Sequence, residues 1–281
     1  MLTALTIKDA APRSKFKRWM QKFSRNDPKS YIASMQGLAV QHIIYEQING
    51  KVNWDKIEKA LLVPIERKFI LCVENLKLPR NLGFERFQSD ALLKRLAENA
   101  ALWVLNAAKI PPSDIKIAIY DPDGSELELC ELLIPFTNQL RIITKDIGDY
   151  YLEYERLMDE YGVAVMISSE TEWLSFCDVV ITPRRITENL PFKEDAIIFS
   201  TERPAVSAKG VIFYDYQMDL AEKYLKIMPY DLPDLYFASA LYTKGKQYEL
   251  GSAVPSVIIG DGFSILPDNL VEYLRRLIKS A

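Results

Sequence analysis

Between residues 115 and 214 the hydrophobic positions come in short, nearly unbroken runs separated by helical stretches. IKIAIY (115–120), QLRIIT (139–144), VAVMI (163–167), DVVI (178–181), AIIFS (196–200) and VIFY (211–214) read as strands. Runs that are apolar throughout, rather than alternating, suit strands covered on both faces. Helical spacing fills 126–134 and 149–161, and a shorter helix lies around 170–176. Strands alternating with helices at this spacing predict an α/β protein built on a doubly wound, mainly parallel sheet with right-handed crossovers.

On either side of that block the pattern turns helical. In 11–25, APRSKFKRWMQKFSR, the residues Phe16, Trp19, Met20 and Phe23 fall on one helical face among six basic residues and no acid. The apolar face suits docking on the core. The basic face suits an acidic partner or an anionic membrane surface. Residues 30–49 read as a long helix carrying His42 and stopped by Gly50. Asn53 caps a helix over 54–62. KFILCV (68–73) is a strand, and 75–84, with Pro79 and Gly83, a loop. Ser89 then caps a long helix that ends at Pro111-Pro112 and has the look of a connector. After residue 214, helices over 231–244 and 270–278 flank a strand at 253–259. The predicted organisation is a mostly helical region with a connector helix (1–110), the sheet domain (111–225) and a C-terminal helical return (226–281).

Composition narrows the function classes. A net charge of −3 argues against nucleic-acid binding through overall charge. No run reaches the length of a membrane span, and no signal peptide is read at the start. Cys72, Cys130 and Cys177 are widely spaced beside apolar runs, as reduced thiols of a cytoplasmic protein would be. His42 is the only histidine. A histidine-rich zinc site is therefore excluded, no metal site is assigned, and a Ser-His-Asp or Cys-His mechanism would need His42 itself.

The candidate chemistry starts at Asp121-Pro122-Asp123-Gly124-Ser125, a polar turn between the first strand of the block and its helix. Strand, glycine turn and helix opening begin a nucleotide-binding βαβ unit. Against a spaced glycine motif, Asp121 replaces the first glycine, Gly124 matches the second and Leu127 replaces the third. Gly124 and Ser125 are the residues that would approach a phosphate. Thr144, Lys145 and Asp146 fall about 20 residues beyond, where a ribose-reading group is expected. Asp146 suits a ribose hydroxyl and Lys145 a 2′-phosphate. Thr182, Pro183, Arg184 and Arg185 follow the strand DVVI, at the carboxyl edge where ligands bind. Two arginines there suit a phosphate or carboxylate.

On these pieces (IKIAIYDPDG, LRIITKD, VAVMISSETEWLSFCDVVITP) residues 113–215 resemble the Rossmann-like NAD(P)-binding domain of shikimate dehydrogenases and glutamyl-tRNA reductases. LGFERF (82–87) ahead of the connector helix carries a fainter likeness to acyl-carrier-protein reductases. The main resemblance implies NAD(P) as cofactor and an oxidoreductase-like role. It places Gly124 and Ser125 at the phosphates, Thr144–Asp146 at the adenosine ribose and Thr182-Pro183 at the nicotinamide. A second resemblance competes. IAIYDPDGSELEL is similar to the first motif of haloacid-dehalogenase-like phosphatases, which implies Asp121 as nucleophile, Asp123 as acid/base and Mg²⁺ beside them. Asp261 would then be a metal ligand, Thr144 a phosphate contact and Lys244 or Lys246 the third motif. A third reading is a non-catalytic scaffold that keeps the sheet and binds a partner. No catalytic residue is nominated. A small-molecule ligand and self-association stay open as partners.

Overall fold

The structure is a computed structural model that describes residues 1–9, 27–35, 37–47, 50–62, 68–163 and 165–280. The basic stretch 11–25 lies outside them. Up to residue 89 the elements are β1 (Leu2–Asp9), β2 (Lys29–Met35), β3 (Leu38–Gln47), α1 (Trp54–Ala60), β4 (Lys68–Ile70) and β5 (Phe84–Arg86). The middle of the chain forms α2 (Ala91–Ala108), β6 (Lys116–Tyr120), α3 (Glu128–Leu133), β7 (Gln139–Ile143), α4 (Ile147–Tyr161), β8 (Met166–Ser168), β9 (Val179–Ile181), β10 (Ile197–Phe199) and β11 (Val211–Gln217). The last part adds α5 (Glu222–Leu225), α6 (Asp234–Thr243), β12 (Val257–Gly260), β13 (Phe263–Ile265) and α7 (Pro267–Ser280). These elements group into two compact units, Met1–Ser89 with Leu220–Tyr248, and Asp90–Asp219 with Glu249–Ala281. No helix among the described residues is long and apolar enough to cross a membrane.

The first unit departs from its helical expectation. Residues 30–49 do not form a helix, and their described part forms β2 and β3, paired antiparallel around Gly37. β1 runs parallel to β3, giving the order β1-β3-β2. The reading of 1–110 as mostly helical is corrected accordingly. Its physical reason lies in side-chain type. Tyr31, Ile32, Val40, Ile43, Ile44 and Tyr45 are β-branched or aromatic, which suits a pleated surface. Gly37, at φ +83°, makes the reversal between the strands. Leu5, Ile43, Tyr45, Ile57, Ile70, Cys72 and Phe84 form this unit's buried cluster. Asn53 caps α1 as expected, its Oδ1 accepting from the Lys56 amide at 3.2 Å.

The second unit holds an eight-stranded sheet in the order β13-β12-β11-β10-β9-β6-β7-β8. All neighbours from β8 to β11 are parallel, while β12 and β13 close one edge antiparallel. Counted from β6, the parallel strands run 3-2-1-4-5-6, the Rossmann order, with its switch point between β6 and β9. The expected α/β architecture with a mainly parallel, Rossmann-like sheet is thus what the chain adopts. Ile117, Ala118 and Ile119 of β6 are fully buried, as are Val180, Ile181, Ile197 and Ile198 of the next two strands. The predicted helix around 170–176 is a 3₁₀ turn, Thr171–Phe176. α2 packs on α7 and on β9–β11. Arg275 of α7 donates from Nη2 to the Ala107 carbonyl (2.9 Å) and from Nε to that of Ala108 (3.1 Å), closing the last turn of α2.

Candidate functional site

Four adjacent parallel strands each end on a buried polar residue. Asp121 follows β6, Thr144 follows β7, Thr182 follows β9 and Ser200 follows β10, and all four are essentially without exposure. Their amides extend the ladder: Asp121 donates to Ile143 (3.0 Å), Thr144 to Ser168 (2.9 Å), Thr182 to Phe199 (2.8 Å) and Ser200 to Phe213 (2.7 Å). The row marks the carboxyl edge of the sheet, where ligands of open α/β folds bind.

Asp121 is the centre of the row. After it the chain turns at Gly124, which holds φ +70°. The Asp121 carboxylate points back into that turn and is 0% exposed. Oδ2 accepts from the Glu126 amide at 2.9 Å and from the Tyr150 hydroxyl at 2.7 Å. Oδ1 accepts from Nη2 of Arg184 at 2.7 Å and from the Ser125 hydroxyl at 3.3 Å. Nη1 of Arg184 reaches Asp123 at 2.6 Å, and Asp123 is 72% exposed. Arg184 thus spans from the loop after β9 to the turn after β6, across the switch point. Its own backbone is fixed, since Ser200 Oγ donates to the Arg184 carbonyl at 2.6 Å. Tyr120 donates its hydroxyl to Glu188.

Two protonation states follow. Burial, then the hydrogen bond to Asp121, pushes the Tyr150 phenol far above its ordinary range, so it stays a neutral donor. Burial and the bond to Glu188 do the same for Tyr120. Two buried donor groups have no partner among the described residues, Nε of Arg184 and the Thr182 hydroxyl. Both stand just past β9.

The residues named from the sequence separate into two groups. Gly124 and Asp146 are brought together: a Cβ built on Gly124 would lie 3.1 Å from Cβ of Asp146. Asp146 and Lys145 are exposed on the loop into α4, and the Thr144 hydroxyl accepts the Asp146 amide at 3.0 Å. An acidic side chain beside the glycine turn is the arrangement that reads a ribose. Ser125 does not stand free for a phosphate, because its hydroxyl faces Asp121 and Glu126 (3.0 Å). Thr182 and Pro183 are buried.

The phosphate station of a dinucleotide site fits less well. The Glu126 amide and the Arg184 guanidinium, the donors a pyrophosphate would use, already serve the Asp121 carboxylate. α3 is only six residues long, which leaves little helix dipole to add. The chain supplies the anion itself. Asp146 thus stands beside the glycine turn, and the Asp121 carboxylate occupies the donors at the opening of α3.

Of the phosphatase-like set, Asp121 and Thr144 follow the neighbouring strands β6 and β7. Asp121 and Asp123 face Arg184 rather than a third acid. Asp261 sits in the β12–β13 turn, with Tyr214 at 3.1 Å and Arg203 at 3.0 Å. Lys244 and Lys246 belong to the first unit, where the Lys244 ammonium lies 4.9 Å from the centre of the Phe69 ring. Among the described residues no group of three His, Cys, Asp or Glu could hold a metal ion.

Sequence reasoning missed Tyr150, Glu188 and Ser200. Tyr150 lies 29 residues beyond Asp121 in an acidic amphipathic helix. Only the parallel β6–β7 pairing brings that helix's first turn to the Asp121 carboxylate.

A scan against protein-family models and a search of curated proteins both find no match. Among solved structures, the L-tryptophan dehydrogenase from Nostoc punctiforme aligns over 98% of this chain and 79% of its own, at 11% identity and a TM-score of 0.35. That likeness is too loose to carry an argument about activity.

Proposed function

We propose that the protein is a divergent, oxidoreductase-like member of the Rossmann-like class that binds a nucleotide, NAD(P) first among candidates, at the carboxyl edge of β6, β7 and β9. One observation carries this reading: Asp146 lies against Gly124 beside the switch point of a 3-2-1-4-5-6 sheet. Asp146 receives the ribose hydroxyls, and Lys145 beside it favours a 2′-phosphate. Arg184 takes the anionic part of the ligand by exchanging Asp123, its exposed partner, for a phosphate oxygen. Thr182 and Pro183 lie toward the nicotinamide. A nicotinamide cofactor supplies hydride chemistry when bound. The chain's part is to orient it and to keep the Tyr150 and Tyr120 protons in place.

A fluorescence titration with NADH and NADPH tests this. Saturable binding is expected, weakened about tenfold by Asp146→Ala, a change of roughly 1.4 kcal/mol. Lys145→Ala should weaken NADPH more than NADH. Asp123→Asn should strengthen both, because it removes the acid that competes for Arg184.

A second reading has its own support. Asp121 is fully buried and satisfied by four donors of the chain itself. On that reading the sheet is kept as a scaffold without the cofactor. Silence toward both nucleotides, unchanged by Asp123→Asn, would decide for it.

A further inference from the structure

The first unit carries a polar cluster built around the chain's one histidine. Thr6 of β1 and His42 of β3 meet with Oγ1 and Nε2 2.7 Å apart. Leu5 and Ile43, their neighbours in sequence, belong to the apolar cluster of this unit. The Thr6 hydroxyl donates to Oδ2 of Asp231 at 2.7 Å. An ionised carboxylate can only accept, and a hydroxyl has one proton. Thr6 must therefore accept from His42, so the neutral imidazole carries its proton on Nε2 and leaves Nδ1 as an acceptor. The described residues supply no hydrogen bond to Nδ1.

A second acceptor stands idle in the same cluster. Oδ1 of Asp231 is buried and has no partner among the described residues. Buried acceptors are normally satisfied. Beside them, the Tyr230 ring lies 5.7 Å from the imidazole and is 61% exposed. The Lys8 ammonium sits 4.6 Å from the centre of that ring and is open to solvent. One patch thus presents an exposed cation bonded to the Tyr230 hydroxyl, an aromatic wall and the imidazole acceptor Nδ1, with Asp231 Oδ1 buried behind them.

We propose that Lys8, His42, Tyr230 and Asp231 form a binding and proton-transfer site for a small organic anion that also carries an O–H or N–H group. The anionic group pairs with Lys8, and the O–H or N–H group faces His42 Nδ1. In the transfer step Nδ1 takes the ligand's proton and the electron pair stays on the ligand. The imidazolium keeps its Nε2–H on Thr6, and Asp231 balances the new charge through that hydroxyl. The reverse step returns the proton. Thr6 and Asp231 are positioning residues for this base. Burial lowers the His42 pKa, as does Lys8, while Asp231 opposes them. The resting imidazole is therefore a neutral base at pH 7. The site stands whether or not the second unit binds a nucleotide.

With one histidine in the chain, full-length protein labelled with [15N]histidine gives a single imidazole signal by NMR. The expected signal is the Nε2–H tautomer. Thr6→Val should equalise the two tautomers, and if that variant fails to fold, Asp231→Asn tests the same link. Glycolate, a carboxylate with an adjacent hydroxyl, should shift the signal saturably and raise the His42 pKa. Acetate, which lacks the hydroxyl, should act more weakly. Lys8→Met should weaken the glycolate effect about tenfold. An Nδ1–H tautomer, a signal unmoved by glycolate, or equal shifts with acetate and glycolate would each overturn the proposal.

Discussion

Removing Arg184 leaves the Asp121 carboxylate inside the protein without its countercharge. Breaking a buried pair from one side costs several kcal/mol, because the remaining charge keeps its desolvation penalty. Three other donors still serve Asp121, so the loss for Arg184→Met should be near the low end, about 3 kcal/mol. The same guanidinium also binds Asp123, but that acid is mostly solvated. Asp123→Asn should cost under about 1 kcal/mol. Urea unfolding of the two variants checks the contrast, and equal losses would show that Asp121 does not depend on Arg184. Glu98 gives a pH signature at the same scale. It is 4% exposed in α2, with Arg95 at 2.9 Å. Burial outweighs Arg95 and raises its pKa from 4.5 to about 7. Between those values the folded state holds more protons than the unfolded chain. Stability therefore falls as pH rises through that window, by up to about 1.4 kcal/mol per pH unit, and levels off above it. Glu98→Gln should remove the slope in melts recorded from about pH 4.5 to about pH 8.

At the scale of elements, backbone approach decides what the sheet tolerates. Gly210 precedes β11 with φ +90°, and a Cβ there would lie 2.4 Å from Cδ1 of Ile198 and 3.0 Å from the Ala196 carbonyl oxygen. Both the dihedral and the space demand glycine, so Gly210→Ala should cost about 2 kcal/mol or more, read as a lowered melting temperature. Most elements of the second unit were legible in the sequence. Runs such as IKIAIY and AIIFS are too apolar and too short for anything but a covered strand, and the proline pair at 111–112 stops α2. Residues 30–49 misled because positions 32, 35, 38, 43 and 44 also fit a helical stripe. Strand formation there was decided by partners, since β2 and β3 pair with each other and β1 pairs with the far side of β3.

For the whole molecule, the two units are not two consecutive halves of the chain. The first unit takes back Leu220–Tyr248, a segment that lies between β11 and β12 of the second unit's sheet. Phe237, Ala238, Ala240 and Leu241 of α6 are fully buried, and Tyr236 donates to the Phe87 carbonyl at 3.0 Å. A fragment of residues 1–89 alone should therefore lack a cooperative melt by circular dichroism. Joining 220–248 to it by a flexible linker should restore one. A cooperative melt of 1–89 by itself would mean that α6 adds little to this core. By itself the sequence determined the parallel sheet, the glycine turn and the acid at the end of the next strand, because these rest on local apolar runs and fixed spacings along one βαβ unit. It also showed the turn to be acidic, but not what that acid does. The tertiary structure decided that Asp121 is buried and answered by Arg184 and Tyr150, and that Thr6 meets both His42 and Asp231. Those partners stand 63, 29, 36 and, between Thr6 and Asp231, 225 residues apart. A charge or a proton is placed by whatever strand order brings near it, and no periodicity along the chain records that.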